Sequence, residues 1–407
     1  MPCPADHFDP FDVAYLADPY PTFADLRAQR PGYVEALDMW VVSRHADVEA
    51  VFRDPETYSA ANAQDPLLPL DPAAVEILAT GFRPIRTMSN LDGPEHSRIR
   101  RHNQVGFSPR RLRAMEPVVR DTAVELIEAI RTTGGPADLV EAVTFPMPAS
   151  IIFALLGFPP EDTELLKGWC GDRMAFSWGH PTPEEQIGIA HDLVAYWGYC
   201  ERHIERRLDE PADDFTSDLL RIHLDDPDAI SLHEVTHVVY GLSFAGHETT
   251  TNLLSNTVRR CLERPGTWDR LRTDPSSVPG AVDEGLRHDS SVIAWRRVTT
   301  APTELGGTSI PEGAKLLLLL GAANRDEAVF DDPDRFDVDR ADAGRRHLSF
   351  GWGKHYCLGA TLAKVEVAVV LEELAARLPG LRLVEDQTLD FHPNVSFRGP
   401  RTLLVDW

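Results

Sequence analysis

The sequence has little cysteine, a deficit of basic residues and no long hydrophobic run. The 40 Lys and Arg residues against 64 Asp and Glu give a net charge of −24, which repels phosphate backbones and excludes nucleic acid as a general partner. The longest apolar run, residues 315–323, is far shorter than the roughly 18–20 residues that span a bilayer. Residues 1–7 lack the basic and apolar regions of a signal peptide. We therefore expect a cytoplasmic protein without membrane attachment.

The cysteines are odd in number and scattered along the chain, and no two stand at metal-ligand spacing. This usage is typical of a reducing compartment and leaves room for one functional thiol. The five residues are Cys3, Cys170, Cys200, Cys261 and Cys357.

What the chain does have is 407 residues of ordinary composition, with 43% hydrophobic side chains, enough to bury a large core. No repeat or flexible linker divides it, so we predict a single domain over residues 1–407. Helical periodicity dominates residues 95–290 and 357–377, and strand signals occupy about 33–60, 292–323 and 383–407. The proline-rich residues 62–90 predict a long loop. The predicted fold class is mainly α with a smaller β-rich part.

The longest predicted helix begins at the capping box Ser231-Leu-His-Glu234 and meets no proline before Pro265. At 1.5 Å per residue it is about 50 Å long, so its middle should cross the core. One face of that middle carries small and polar side chains at helical spacing: Ala245, Glu248, Thr249 and Asn252. A carboxylate and hydroxyls in a core are costly unless they have partners or a function. This stretch is therefore a candidate site.

The start of the same helix matches a zinc motif. His233-Glu-Val-Thr-His237 has the H-E-x-x-H spacing that places two imidazoles on one helix face. The capping box already explains Glu234, and no third ligand follows at the metzincin spacing. A zinc hydrolase that uses His233, Glu234 and His237 is thus a distant alternative.

A second candidate is the segment Phe350-Gly-Trp-Gly-Lys-His-Tyr-Cys-Leu-Gly359. Gly351 and Gly353 predict a tight turn, and a helix follows Cys357. Backbone N–H groups and the dipole at a helix start stabilise a thiolate, which could be a nucleophile, a redox sensor or a metal ligand. The alternative is a buried structural cysteine. A pattern with this many fixed positions rarely arises by chance.

Together these motifs resemble the bacterial cytochrome P-450 haem-thiolate monooxygenases over nearly the whole chain. The cysteine loop and the Ala245-Gly-His-Glu-Thr249 segment match the family's two main signatures. Weaker matches stand in the family's order: His96 to Arg100, Glu284 to Arg287, and Pro333 to Phe336. The resemblance implies the P-450 fold, a triangular prism with haem between the long central helix and the helix after the cysteine loop.

The resemblance also implies haem b (iron protoporphyrin IX), with Cys357 as the iron ligand. Thr249 and Glu248 would be catalytic, Thr249 as a hydrogen-bond donor to dioxygen and Glu248 as a proton relay. Arg297 is preferred to Arg296 for a haem propionate because of the family's R-x-x-T spacing. The full set of implied haem contacts is His96, Arg100, Ala245, Arg297, Phe350, Gly351, His355, Cys357 and Gly359. The implied role of Glu284 and Arg287 is a structural ion pair.

The implied reaction is a monooxygenation in which electrons from NAD(P)H reach the protein through a redox partner. The product is a hydroxylated or O- or N-dealkylated compound. A peroxide-driven peroxygenase that uses the same haem is the alternative. The expected pocket is mostly apolar, which favours a small hydrophobic, aromatic substrate. Its candidate residues are Met88, Ser89, Phe244, Ala245, Ile293, Ala294, Val395 and Phe397. We expect a monomer.

A finer resemblance connects the chain to self-sufficient members, in which a reductase with flavin and an iron–sulfur centre is fused to the haem domain. It rests on three segments, Ala294–Arg297, Ile310–Lys315 and Ser396–Pro400. The C-x₄-C-x₂-C pattern of the iron–sulfur centre is absent from the sequence. The chain is then either the haem domain of such a fusion or a relative that a separate ferredoxin and ferredoxin reductase serve. The basic segment from Arg98 to Arg113 would dock the electron donor.

Overall fold

The computed structural model describes residues 8–407, so Cys3 and the N-terminal residues 1–7 lie outside the described chain. The chain divides into two compact units. Unit 1 comprises Met1–Ala63, Val119–Met147 and Thr249–Trp407, and unit 2 comprises Gln64–Val118 and Pro148–Glu248. The single-domain organisation stays a prediction.

Most of the described chain is helical. The helices are α1 (Val13–Ala17), α2 (Tyr20–Arg27), α3 (His45–Arg53), α4 (Pro72–Gly81), α5 (Gly93–Asn103), α6 (Pro109–Thr133), α7 (Pro146–Leu156), α8 (Thr163–Trp178), α9 (Pro183–Asp209), α10 (Phe215–Asp225), α11 (Leu232–Glu263), α12 (Thr267–Thr273), α13 (Val278–His288), α14 (Leu320–Ala323), α15 (Ala343–Arg346) and α16 (Ala360–Arg377). Within residues 8–407, no helix combines the length and the apolar character that crossing a bilayer requires.

The strands belong to unit 1. They are β1 (Gly32–Val34), β2 (Met39–Val42), β3 (Tyr58–Ser59), β4 (Ala137–Asp138), β5 (Trp295–Thr299), β6 (Thr303–Leu305), β7 (Thr308–Ile310), β8 (Lys315–Leu318), β9 (Arg382–Leu383) and β10 (Leu404–Asp406). They form a five-stranded sheet in the order β1-β2-β8-β5-β3, a three-stranded sheet β4-β10-β9 and the hairpin β6-β7. The predicted fold class, mainly α with a smaller β-rich part, is confirmed.

The five-stranded sheet is built around the leucine run. β8 pairs in parallel with β2, with Val41 opposite Leu317, and antiparallel with β5, with Arg297 opposite Leu316. Strand β8 is central and its Leu316, Leu317 and Leu318 are buried, as expected for a continuous apolar run. Strands β1 and β2 form a hairpin, with Tyr33 opposite Trp40.

Two expectations from the sequence were wrong in part. The region 33–60 contains helix α3 between its strands, and the region 62–90 contains helix α4 rather than a continuous loop. At the start of α4, Asp71 accepts a hydrogen bond from Ala73 N at 2.8 Å, and Pro72 fits the first turn because no N–H partner is required there. The surrounding prolines concealed this helix start in the sequence.

Helix α11 begins as predicted. Glu234 Oε2 accepts a hydrogen bond from Ser231 N at 2.8 Å, and Ser231 Oγ accepts one from Glu234 N at 3.2 Å, which is a complete capping box. Within unit 2, a Cβ on Gly246 would lie 2.6 Å from Ile152 Cγ1. The glycine therefore allows α7 to pack closely against this part of α11.

A buried carboxylate at the end of α13 connects distant segments of unit 1. Asp289 accepts hydrogen bonds from the Tyr20 hydroxyl at 2.6 Å, from Arg260 Nε at 2.8 Å and from Arg259. Arg398 Nε lies 3.7 Å from the same carboxylate. Burial alone would raise the pKa of Asp289, but the surrounding arginines hold it well below its ordinary value.

We expect Asp289→Asn to lower the free energy of unfolding by about 3–5 kcal/mol, because it leaves the buried arginines without their shared carboxylate. Urea unfolding followed by tryptophan fluorescence measures this change. Glu128→Gln is the control, since it weakens solvent-accessible ion pairs with Arg131 and Arg377, each of which should contribute less than about 1 kcal/mol. Equal effects of the two changes would contradict the stabilising role of the Asp289 cluster.

Candidate functional site

The middle of helix α11 opens to solvent over about one turn. Phe244 and Thr250 are buried, whereas Ala245 is exposed and Glu248 and Thr249 are partly exposed. A small residue, a carboxylate and a hydroxyl are thus accessible on a helix that is otherwise mostly core. Exposure of polar groups at this point is the arrangement expected of a helix that lines a binding site.

The cysteine loop presents its sulfur on the surface of unit 1. Cys357 is exposed, whereas the other cysteines of the described chain are buried. The loop turns through Gly351 and Gly353, at φ values of +68° and +70°, and a Cβ on Gly353 would lie 2.9 Å from the carbonyl oxygen of Phe52. Only glycine adopts this backbone without strain. The alternative of a buried structural cysteine at position 357 is therefore wrong.

The position of Cys357 relative to α16 is suited to a thiolate. Its N–H donates to the Phe350 carbonyl at 2.9 Å, and Gly359 is the N-cap of α16. The sulfur thus precedes a helix N-terminus, where backbone N–H groups favour negative charge. Burial, by contrast, raises the pKa of Cys170 to about 12, so that thiol stays protonated.

The segment before the cysteine loop is braced by a buried ion pair. Arg287 donates to Glu284 at 2.7 and 2.8 Å, and both side chains are 0% exposed. Arg287 also donates to the carbonyls of Pro333 at 2.8 Å and Arg335 at 3.1 Å. Glu284 accepts from Asp337 N at 2.8 Å. The pair therefore fixes residues 333–337, the polar meander that leads to the cysteine loop.

The predicted cationic residues occupy both units. In unit 1, buried Arg297 lies over the Phe52 ring at 5.2 Å, while neighbouring Arg296 reaches the Ala63 carbonyl at 3.4 Å. His355 is partly exposed at the end of a short 3₁₀ turn. In unit 2, the buried His96 and the partly exposed Arg100 lie one turn apart on α5. Phe52 was not predicted as part of the site, since its contact with Arg297 joins residues far apart in the sequence.

The pocket residues predicted in unit 1 come together. Ile293 N donates to the Ser396 carbonyl at 2.7 Å, and Ser396 Oγ donates to the Ala294 carbonyl at 2.5 Å. This joins the two segments that carry the predicted pocket residues Ile293, Ala294, Val395 and Phe397, all of which are buried. In unit 2, Met88 and Ser89 are partly exposed and Phe244 is buried.

The residues of the zinc motif all have structural partners. His233 Nε2 contacts the Arg83 carbonyl at 2.7 Å, and Arg98 donates to Glu234 at 2.5 Å in addition to the capping box. Ile85 N donates to His237 Nδ1 at 3.0 Å. Among the described residues, no group of three or more His, Cys, Asp or Glu side chains is arranged to hold a metal ion. The geometry does not favour the zinc hydrolase alternative.

Two arginines of the basic segment Arg98–Arg113 are neutralised within unit 2. Arg98 pairs with Glu95 at 2.8 Å as well as with Glu234, and Arg111 pairs with Asp213 at 2.8 Å and Asp218 at 2.7 Å. The exposed basic side chains that remain are Arg101, Arg110 and Arg113. The segment therefore offers a narrower basic surface than its sequence indicates.

Comparison with known proteins shows to which family the chain belongs. The sequence model described as cytochrome P450 matches residues 276–378. Erythromycin C-12 hydroxylase from Saccharopolyspora erythraea is 36% identical over 93% of this chain and 92% of its own length. The chain belongs to the cytochrome P450 family. It is a P450 monooxygenase, an oxidoreductase, and its helical fold with small sheets is the P450 fold.

Solved P450 structures match the chain along its length. Cytochrome P450 CREJ in complex with (4-ethylphenyl) dihydrogen phosphate is 39% identical, with a TM-score of 0.94 over 99% of this chain and 100% of that one. An intact type IV self-sufficient P450 monooxygenase is 36% identical, with a TM-score of 0.95 over 100% of this chain but only 53% of that one. The chain thus corresponds to the haem domain of the self-sufficient relative.

The residues present fit the haem that the P450 family implies. The haem iron of a P450 is bound by a cysteine thiolate. Cys357 is an exposed cysteine just before the start of α16. Two anionic propionates require cations, and unit 1 offers Arg297 and His355 as candidates. The exposed stretch around Ala245 offers a helix surface without a bulky side chain.

Because His237 is a buried core residue of this P450, its protonation should make the free energy of unfolding depend on pH. Burial, aided by the charges of Arg173 and His233, lowers its pKa to about 3 from 6.5. The unfolded chain therefore binds an extra proton between pH 6.5 and 3, and the stability falls as the pH drops through this window.

We expect His237→Asn, which keeps an acceptor for Ile85 N, to lower the slope of unfolding free energy against pH. The reduction should be about 1.4 kcal/mol per pH unit between pH 6 and 4. Urea unfolding across this range measures the slope. Thr236→Ser, in the same helix turn, is the control. A slope that His237→Asn leaves unchanged would show that His237 is not neutral in the core.

Proposed function

We propose that this P450 uses O₂ and electrons derived from NAD(P)H to hydroxylate, or to O- or N-dealkylate, a small hydrophobic aromatic substrate. The observation that carries the proposal is the exposed Cys357 at the start of α16, in a chain whose long helix is open at Ala245 to Thr249. We also propose that the protein is a cytoplasmic monomer.

In this proposal Cys357 holds haem b, which when bound supplies the activation of dioxygen, favoured by electron density from the thiolate. His96, Arg100, Arg297 and His355 neutralise the propionates through charge-assisted hydrogen bonds. Phe350, Gly351 and Gly359 form the backbone around the sulfur. The buried pair of Glu284 and Arg287 supports this loop without contact with substrate.

Glu248 and Thr249 control the proton supply. Both are partly exposed on α11 and are adjacent in the sequence, so the Glu248 carboxyl can exchange protons with solvent. The Thr249 hydroxyl then holds a proton that it can transfer toward dioxygen. Correct delivery couples electron use to product, whereas misdelivery releases peroxide.

Electrons come from a reductase, either fused or in a separate ferredoxin and ferredoxin reductase. The proposal draws on the intact self-sufficient relative, of which this chain covers 53%. The exposed Arg101, Arg110 and Arg113 form a basic surface that suits an acidic donor.

An aromatic substrate is supported by the apolar pocket residues around Ile293 and Phe397 and by the aromatic ligand of the CREJ structure. In unit 1 the two segments that carry these apolar residues are joined through Ser396, whose Oγ donates to the Ala294 carbonyl. We therefore propose aromatic ethers and alkylarenes as the first compounds to screen.

Cys357→His tests the ligand. The wild-type protein, loaded with haem, reduced and treated with carbon monoxide, should show the red-shifted Soret band of thiolate ligation. We expect the variant to lose this band and to show that of nitrogen ligation, because the ligand sulfur is gone. Cys261→Ser, at a buried cysteine, should retain it. A thiolate-type band in Cys357→His would contradict the proposal.

Thr249→Ala tests the proton supply. We expect the ratio of peroxide to product to rise by about tenfold or more while substrate affinity stays within a factor of about two, because the variant loses the hydroxyl that holds the proton. Thr250→Ala, a buried neighbour on the same helix, is the matched control. Unchanged coupling, together with turnover driven by peroxide alone, would favour the peroxygenase.

A further inference from the structure

Arg173 lies on α8. Its guanidinium carbon is 5.0 Å from the centroid of the Tyr240 ring and 5.2 Å from that of the Phe244 ring. These rings stand on successive turns of α11, directly before the exposed Ala245. A cation is therefore held against the helix next to the candidate site.

This guanidinium is supported by rings rather than by a carboxylate. Among the described side chains, none forms an ion pair with Arg173, and its hydrogen bond to Gln64 Oε1 is long, at 3.5 Å. Cation–π contact stabilises the charge but leaves the N–H donors, which lie in the guanidinium plane, available to an acceptor. Other arginines of unit 2, such as Arg98 and Arg111, are instead neutralised by carboxylates.

The charge of Arg173 lies on the side of α11 that carries the candidate site residue Glu248. The Cys170 thiol, one turn before Arg173 on α8, has a pKa that burial and the Glu248 charge raise and that Arg173 lowers. Arg173 and Glu248 therefore both act on this thiol. The Tyr240 hydroxyl is buried, and the Arg173 charge lowers its pKa while burial raises it. An acceptor brought by a ligand would be the complement of these donors.

We propose that Arg173 is a specificity residue that binds an anionic group, a carboxylate or a phosphate monoester, on a small aromatic substrate. This inference rests on the proposed function and narrows its substrate class. The planar fork of the guanidinium matches both anions in a bidentate manner. The rings of Tyr240 and Phe244, which already stack with Arg173, offer an aromatic surface beside the anion.

The experiment compares one neutral and two anionic compounds of similar shape. The probes are 4-methoxytoluene, 4-methoxybenzoate and 4-methoxyphenyl phosphate, and their dissociation constants are measured by calorimetry on the haem-loaded protein, with the substrate-induced spin shift as a second readout. We expect at least one anion to bind about 10- to 100-fold more tightly than the neutral compound, as for a charge-assisted hydrogen-bond pair. The preferred anion identifies the substrate as a carboxylate or a phosphate.

Arg173→Gln should remove this preference, weakening the anion about 10- to 100-fold and changing the neutral compound less than about twofold. Arg173→Lys, which keeps the charge but loses the fork, should weaken the anion less. Arg202→Gln, at an exposed arginine of α9, is the control with the same change in net charge and should keep the preference.

Two results would overturn the inference: a wild-type protein that binds all three compounds equally, or an Arg173→Gln protein that keeps its anion preference. The first result requires no variant, so the inference stays testable even if Arg173→Gln does not fold. A different result would show that the proposed function itself is wrong. A wild-type protein without a thiolate-type carbon monoxide spectrum would refute the haem assignment, while calorimetry on the protein as purified, without added haem, would still report the anion preference.

Discussion

The buried pair of Glu284 and Arg287 is the interaction on which the cysteine loop depends. A thiolate that binds a metal must not be covered by the protein's own side chains, yet a loop with two positive-φ glycines has little rigidity of its own. The rigidity comes from buried hydrogen bonds that hold the segments before the loop. Arg287 fixes the meander, Asn324 accepts from Leu348 N at 2.6 Å, and Ser349 Oγ donates to the Leu286 carbonyl at 2.6 Å. The chain therefore enters the loop at Phe350 from a backbone that is already held by buried hydrogen bonds.

Helix α11 has a different requirement. Most of its length is buried in the core, whereas one turn has to carry accessible polar side chains. In its C-terminal half, two buried polar residues have partners on other segments of unit 1: Ser255 pairs with Thr144 at 2.7 Å, and the Asn256 amide donates to the carbonyls of Asp289 and Arg398. These residues cost little because each has a partner. Glu248 and Thr249, in the middle of the same helix, are partly exposed. The helix therefore carries buried polar residues in one half and partly exposed ones in its middle.

The sequence predicted well whatever is encoded locally. The cysteine loop, the capping box of α11 and the Glu284 to Arg287 pair are short motifs in which neighbours in sequence meet in space. Helix α4 was missed because prolines, which mark both loops and helix starts, surrounded its N-cap. Asp289, Phe52 and Arg173 were missed for another reason. Their partners lie far away in the sequence, and no periodicity in one segment indicates which distant arginine or ring it will contact.

The distribution of arginine links these observations to the strongly acidic balance of the chain. With a net charge of −24, most guanidinium groups can find a carboxylate, and Arg98, Arg111 and Arg259 do so. Arg173 is instead held by the rings of Tyr240 and Phe244, although the protein has carboxylates in excess. Folding alone would favour an ion pair at such a position, or an apolar residue that avoids the cost of desolvating a charge. A guanidinium with available donors is instead what recognition of an anion requires, because a neighbouring carboxylate would compete with the ligand for the same N–H groups.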